Sequence, residues 1–231
     1  MRLVLIGGGF IKHLDHFHIN KRIVELVDKH HPKVLFIPTA SNDDEDYIRD
    51  FIEVFENQLA CQVNVLRCIN ENPNEEELKE IINSADLIYL GGGNYINMLE
   101  KWNQYKIDEK LIKALKQQSL IAGISAGAIC WFKSGIRSNY EGTGYIESLG
   151  WNVINKIFCP HYNQADRAKD FHNLLLQNGG EKALALALED NCALYVENNT
   201  FELIGEPLRA WEIQVKDGKI LKRAFEQDKP L

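Results

Sequence analysis

Leu120-Ile-Ala-Gly-Ile-Ser-Ala-Gly-Ala-Ile-Cys-Trp-Phe132 is the stretch on which the reading of this chain turns. Leu120, Ile121 and Ala122 form a short apolar run that reads as a buried strand. Gly123, Ile124, Ser125, Ala126 and Gly127 follow, and Ala128, Ile129, Cys130 and Trp131 read as the start of a helix. G-x-S-x-G between a strand and a helix is the setting of a nucleophile elbow. The turn has to be tight and strained. Glycines two residues either side of the serine remove Cβ atoms that would clash, and Ser125 Oγ is held up at the edge of the sheet. The N–H of Ala126 then points to where an oxyanion would form.

The segments before the elbow alternate between strand and helix patterns. Leu3 to Ile6 is an aliphatic strand that stops at Gly7-Gly8-Gly9, and Ile23 to Val27 is helical. Val34 to Ala40 gives a second strand closed by Pro38. Ser41-Asn-Asp-Asp-Glu-Asp46 then offers N-caps and early-turn acids to a helix carrying Tyr47, Phe51, Val54 and Phe55. Gln62 to Leu66 is a third strand, and Asn74 caps a helix reaching Ile82, with Glu75 to Glu77 at its positive end. Ala85 to Leu90 is a fourth strand ending at Gly91-Gly-Gly-Asn94, and helices from Tyr95 and Asp108 lead up to the elbow. This alternation, with continuous apolar strands, implies an α/β fold with a mostly parallel sheet covered on both faces. Beyond the elbow, Lys133 to Trp151 reads as a long irregular loop. Val153 to Phe158 leads into Cys159-Pro-His-Tyr-Asn163, Asp166 to Gln177 is helical and closed by Gly179-Gly180, and Ala183 to Leu188 is a strand. Ala193 to Val196 and Trp211 to Val215 suggest terminal hairpins. A single domain over residues 1–231 is expected.

Composition narrows the function. A net charge of -7 argues against nucleic acid as a partner, because phosphate contacts want a basic face. No apolar run reaches membrane-spanning length. The opening Met1-Arg-Leu-Val-Leu-Ile6 is too short for a signal peptide and lacks a cleavage site. The five cysteines, Cys61, Cys68, Cys130, Cys159 and Cys192, are odd in number and scattered, which fits reduced thiols in the cytoplasm.

A serine hydroxyl needs a base, and the base needs an orienting group. His161 is the preferred base. It follows a strand and Pro160, in a loop where an open sheet presents the carboxyl ends of its strands. His30 and His31 precede Pro32 at a helix end and read as solvated, and His172 lies inside a helix pattern. His13, His16 and His18 follow the first glycine turn and could approach the substrate end, but no carboxylate or cysteine set completes a metal site. For the acid, Glu189 is favoured over its neighbour Asp190 at the end of a strand, with Glu141 and Glu147 as alternatives in the loop after the elbow. Gly91-Gly92-Gly93-Asn94 brings bare backbone amides towards a developing oxyanion. Neither glycine run matches a nucleotide-binding spacing, and no cofactor is called for.

Tyr89-Leu-Gly-Gly-Gly-Asn94, Gly123-Ile-Ser-Ala-Gly-Ala128 and Pro160-His161, in that order, resemble the peptidase E (aspartyl dipeptidase) and cyanophycinase family of serine peptidases. The resemblance runs from the first strand to about Val196. It implies the class I glutamine amidotransferase-like fold, a three-layer sandwich with a mostly parallel central sheet and helices on both faces. It also implies Ser125 as nucleophile, His161 as base, and Gly92, Gly93 and Ala126 as oxyanion donors, with Asn94 matching the family's glycine motif. For the acid, it points either to the loop position held by Tyr140-Glu141 or to the strand-end Glu189. Arg167 falls in the family's region for recognising an acidic side chain. Asn94, Asn163 and Arg167 are expected to bind substrate, in a pocket shaped by Asn163, Arg167 and the post-elbow loop.

The expected activity is therefore amide or peptide hydrolysis of a small substrate, without a cofactor and without a nucleic-acid or membrane partner; homo-oligomer formation is left open. An α/β-hydrolase esterase would carry its histidine last in the chain, and no histidine follows His172. The competing class is a non-catalytic or amidotransferase-like module on the same fold. An amidotransferase would want cysteine at the elbow, whereas Cys130 lies beyond the turn.

Overall fold

The computed structural model describes residues 1–117, 119–179, 184–198, 200–206 and 208–226. Up to the elbow it follows the expected alternation. β1 (Arg2–Ile6) precedes α1 (Leu14–Val27), and β2 (Lys33–Ile37) precedes α2 (Glu45–Ile52). β3 (Gln62–Val65), α3 (Glu75–Asn83) and β4 (Leu87–Leu90) come next, then α4 (Tyr95–Tyr105) and α5 (Ile107–Lys116). The elbow joins β5 (Leu120–Ile124) to the short α6 (Ala126–Ile129). Capping chemistry sets several starts. Asn74 accepts from the amides of Glu76 and Glu77, and the Glu77 carboxylate returns to the Asn74 amide, closing a capping box at α3.

The first sheet has the order β3-β2-β4-β5-β1, all parallel, so the elbow strand lies between β4 and β1. β10 (Ala193–Glu197) and β11 (Thr200–Ile204) extend it antiparallel on the far side of β1. Alternate residues of these strands feed two separate cores. Leu3 and Leu5 pack with Met98, Trp102 and Leu111 of α4 and α5, while Val4 and Ile6 pack with Ile19 and Ile23 of α1 and Phe51 of α2. That is why the strands read as unbroken apolar runs: both faces are covered.

Past the elbow the structure departs from the expected irregular loop. Residues 133–151 hold most of β6 (Phe132–Ser138) and all of β7 (Tyr145–Leu149), a hairpin in which Gly135 pairs with Ser148 and Ile136 with Glu147. β8 (Ile154–Cys159) runs parallel to β6, and α7 (Ala165–Leu174) is followed by a π-helical turn to Gly179. β9 (Leu184–Leu188) lies parallel to β8, and the hairpin of β12 (Ala210–Lys216) and β13 (Lys219–Ala224) adds at its other side. These six strands form a second sheet of order β13-β12-β9-β8-β6-β7, so the strands are shared between two sheets. Gly180 and Ala183, expected at the end of the helix and the start of the next strand, lie outside the described residues. No described helix is long and apolar enough to cross a membrane.

Candidate active site

At the elbow Ser125 adopts φ 52° and ψ -110°, a conformation that side chains other than glycine rarely take. The flanking glycines are there because backbone occupies the space of their side chains. A Cβ on Gly123 would lie 2.1 Å from the Gly127 carbonyl oxygen, and one on Gly127 would lie 2.5 Å from that of Leu90. The serine is thereby raised at the carboxyl end of β5, where it lines a cleft of about 1250 Å³.

His161 enters from the loop after β8, also at positive φ. Its Nε2 lies 2.8 Å from Ser125 Oγ, and its Nδ1 lies 2.5 Å from an Asp190 carboxylate oxygen. Both ring nitrogens are thus taken up, one by the serine and one by an acid. That acid is not Glu189. The Glu189 carboxylate accepts from Trp211 Nε1 at 3.1 Å, on the side of β12, while its neighbour turns to the histidine. Nor is it Glu141, an exposed residue of the β6–β7 turn whose amide bonds Asn139. Glu147 accepts from Ser134 Oγ at 2.6 Å.

Asp190 is held from behind by Asn163, which donates from Nδ2 to the second carboxylate oxygen and accepts the Asp190 amide, both at 3.0 Å. Burial would raise the Asp190 carboxyl, but the hydrogen bonds and charge of His161, with Asn163 and Arg167, outweigh it and hold the group below the ordinary carboxylate range. Asn163 therefore braces the acid instead of facing substrate. Asn94, expected at the substrate, is also otherwise engaged. Its side chain caps α4, accepting from the amides of Ile96 and Asn97 at 3.0 and 3.2 Å.

The two expected sources of oxyanion donors meet across the cleft. A Cβ on Gly92 would stand 3.4 Å from Ser125 Cβ. The amides of Gly93 and Ala126 bond no backbone carbonyl among the described residues. The Gly92 amide meets the hydroxyl of Tyr47, a phenol pushed well above its ordinary value by lost hydration, against the lowering effect of that bond. Tyr140 Oη bridges the Gly93 carbonyl and the Tyr95 amide at 3.3 Å each, so the post-elbow hairpin braces the glycine run. Arg167 is buried in the cleft wall with its guanidinium carbon 4.3 Å from the centroid of the Tyr145 ring; its Nε has no hydrogen-bond partner among the described residues. No group of three or more His, Cys, Asp or Glu side chains among the described residues could hold a metal ion.

Residues 3–204 match the model of peptidase family S51. The chain belongs to peptidase family S51. It is a serine-type peptidase, with a peptide substrate. It is 34% identical over 196 residues to the uncharacterized peptidase YgaJ of Bacillus subtilis (strain 168), covering 84% of this chain and 81% of that protein. Among solved structures, a peptidase from an acI-B1 Actinobacterium superposes with a TM-score of 0.72 at 17% identity, over 100% of this chain and 96% of the other. A putative peptidase E protein from Listeria monocytogenes EGD-e superposes at 0.67 and 18% identity, over 87% and 96%. At such identities the two structures speak for the fold, and it is the peptidase E fold that this S51 chain adopts.

Proposed function

We propose that this S51 peptidase hydrolyses the amide bond of a small peptide with Ser125 as nucleophile, His161 as general base and acid, and Asp190 as the group that orients the imidazole. The observation that carries the reading is the unbroken chain Ser125–His161–Asp190, at 2.8 and 2.5 Å. Asp190, as acceptor, keeps the proton on Nδ1, so Nε2 is free to take the serine proton as Oγ attacks the carbonyl. The tetrahedral oxyanion is stabilised by the amides of Gly93 and Ala126, and by that of Gly92, which Tyr47 shares. His161 then returns its proton to the leaving amine, and water repeats the sequence on the acyl-enzyme.

Arg167 supports a carboxylate-bearing substrate. Its guanidinium is a fixed positive charge in the wall of the cleft that also holds Ser125 and His161, which favours an anionic group on the substrate. The test pairs a fluorophosphonate probe with a dipeptide panel. Labelling is expected at Ser125, absent in Ser125→Ala and much reduced in His161→Ala. Dipeptides with an acidic residue should be preferred, and Arg167→Met should erase that preference. A folded protein that neither labels nor cleaves any dipeptide would instead be a binding module.

A further inference from the structure

The Gly7-Gly8-Gly9 turn after β1 fits no nucleotide-binding spacing, and the catalytic reading leaves it without a role, as it does the buried His16. Their surroundings give them one. The carbonyls of three successive residues accept one amide each from the three segments that carry Ser125, His161 and Asp190. Ile6 accepts from Ser125 at 3.0 Å, Gly7 from His161 at 3.0 Å and Gly8 from Asn191 at 2.9 Å. The spacing along one strand end thus fixes the spacing of the three side chains. The His161–Asp190 pair lies directly over Gly8: a Cβ there would fall 2.0 Å from Asp190 Oδ1 and 2.2 Å from His161 Nδ1.

A further contact locks the acid's side of this turn. Asn191, in the left-handed region at φ 56°, sets its side-chain oxygen 3.2 Å from His16 Nδ1. His16 is fully buried on the face of α1 that also carries Ile19 and Ile23. Facing a carbonyl-type oxygen, its Nδ1 is the donor. Burial pushes the imidazole down to about 4 against the effect of that bond, so it is neutral. Its Nε2 has no partner among the described residues. Packing alone does not account for an imidazole here, because leucine would fill a core position without stranding a polar atom.

We infer that the Gly7–Gly9 turn, clamped by the His16–Asn191 contact, is the positioning device of the catalytic triad, with His16 and Asn191 holding the Asp190 loop in register with His161. The inference rests on the proposed roles of Ser125, His161 and Asp190. The decisive variant is Asn191→Gly, which keeps the left-handed backbone and the amide bond to Gly8 but removes the side-chain oxygen. His16→Leu removes the donor, and His16→Asn returns an amide donor near the position of Nδ1. The rate of fluorophosphonate labelling is measured with the melting temperature and the far-downfield proton resonance of the His161–Asp190 hydrogen bond.

Asn191→Gly and His16→Leu should each lower the labelling rate about ten- to a hundredfold, as loss of an outer supporting partner does at other sites. The resonance should move or broaden, the double variant should be no worse than the worse single one, and His16→Asn should recover most of the rate. Wild-type labelling with an unchanged resonance in folded Asn191→Gly overturns the inference. So does a double variant whose loss is the product of the two single losses. If His16→Leu fails to fold, Asn191→Gly decides alone. Failure of the wild-type protein to label, or equal labelling of Ser125→Ala, would refute the triad itself, a result distinct from both.

Discussion

Replacing Asp190 by asparagine changes almost no volume and asks one question, which proton sits on which nitrogen of His161. In the native site one carboxylate oxygen faces His161 Nδ1 at 2.5 Å and the other accepts from Asn163 Nδ2 at 3.0 Å. An asparagine has only one oxygen to offer. The Asn163 donor claims it, since the reverse orientation would set two NH2 groups against each other. The new amide nitrogen then faces Nδ1, and the imidazole answers by moving its proton to Nε2. An Nε2–H donates to Ser125 Oγ and cannot take its proton. The loss should approach the ~10⁴-fold known for this change in a serine-protease triad, about 5 kcal/mol of transition-state stabilisation. The assay is the labelling rate, with melting temperature as control for the fold. Glu189→Gln is the paired variant: the new side chain keeps an oxygen for Trp211 Nε1, so labelling should stay within about twofold. Near-normal labelling of Asp190→Asn, with collapse in Glu189→Gln, would refute the assignment and give the role to the neighbour.

Three further outcomes follow from geometry. Ser125→Gly should abolish labelling yet stabilise the fold by about 1 kcal/mol, because glycine accepts the φ of 52° without strain; calorimetry should show a rise in Tm of about 2–4 °C. Gly123→Ala should destabilise by about 3 kcal/mol or more, since its Cβ would sit 2.1 Å from backbone oxygen that cannot yield, and urea unfolding measures this. The third concerns acid. His16 has its pKa lowered from 6.5 to about 4 in the folded protein, so as pH falls from 6.5 the unfolded chain binds a proton that the native one refuses. Stability from this residue is complete above 6.5 and declines towards pH 4 by about 3 kcal/mol, whereas His16→Leu should lack that component; equal slopes of urea midpoint against pH in the two proteins would contradict it.

What the sequence made legible was whatever one residue's neighbours settle. Both faces of β1, β2, β4 and β5 are buried, so their apolar runs betrayed them, and the elbow motif needed only its strand and helix context. The approach of His161 to Ser125 was legible from its place after a strand. The choice between Glu189 and Asp190 was not, because no periodicity orients two acids just past a strand end. Pairing turns the two apart: the Glu189 amide bonds the Arg209 carbonyl beside β12, and Trp211 takes its carboxylate. The β6–β7 hairpin was hidden for a similar reason. Its strands are partly exposed and mix apolar residues with serine and charge, and they find their place by pairing, β7 to β6 and β6 to β8. Asn94 was expected at the substrate, but the free amides at the start of α4 claim its side chain.

The three carbonyls of Ile6, Gly7 and Gly8 also set a timetable. They leave the ribosome well before Asp190 and the β10 strand that pairs with β1. A growing chain that has reached β9 holds the proposed nucleophile and base but has nothing to fix the imidazole. Contacts separated by more than 180 residues are slow to close, so the site forms among the last features of the fold. The order of the strands thus makes the contact that holds the proposed acid one of the longest closures in the fold.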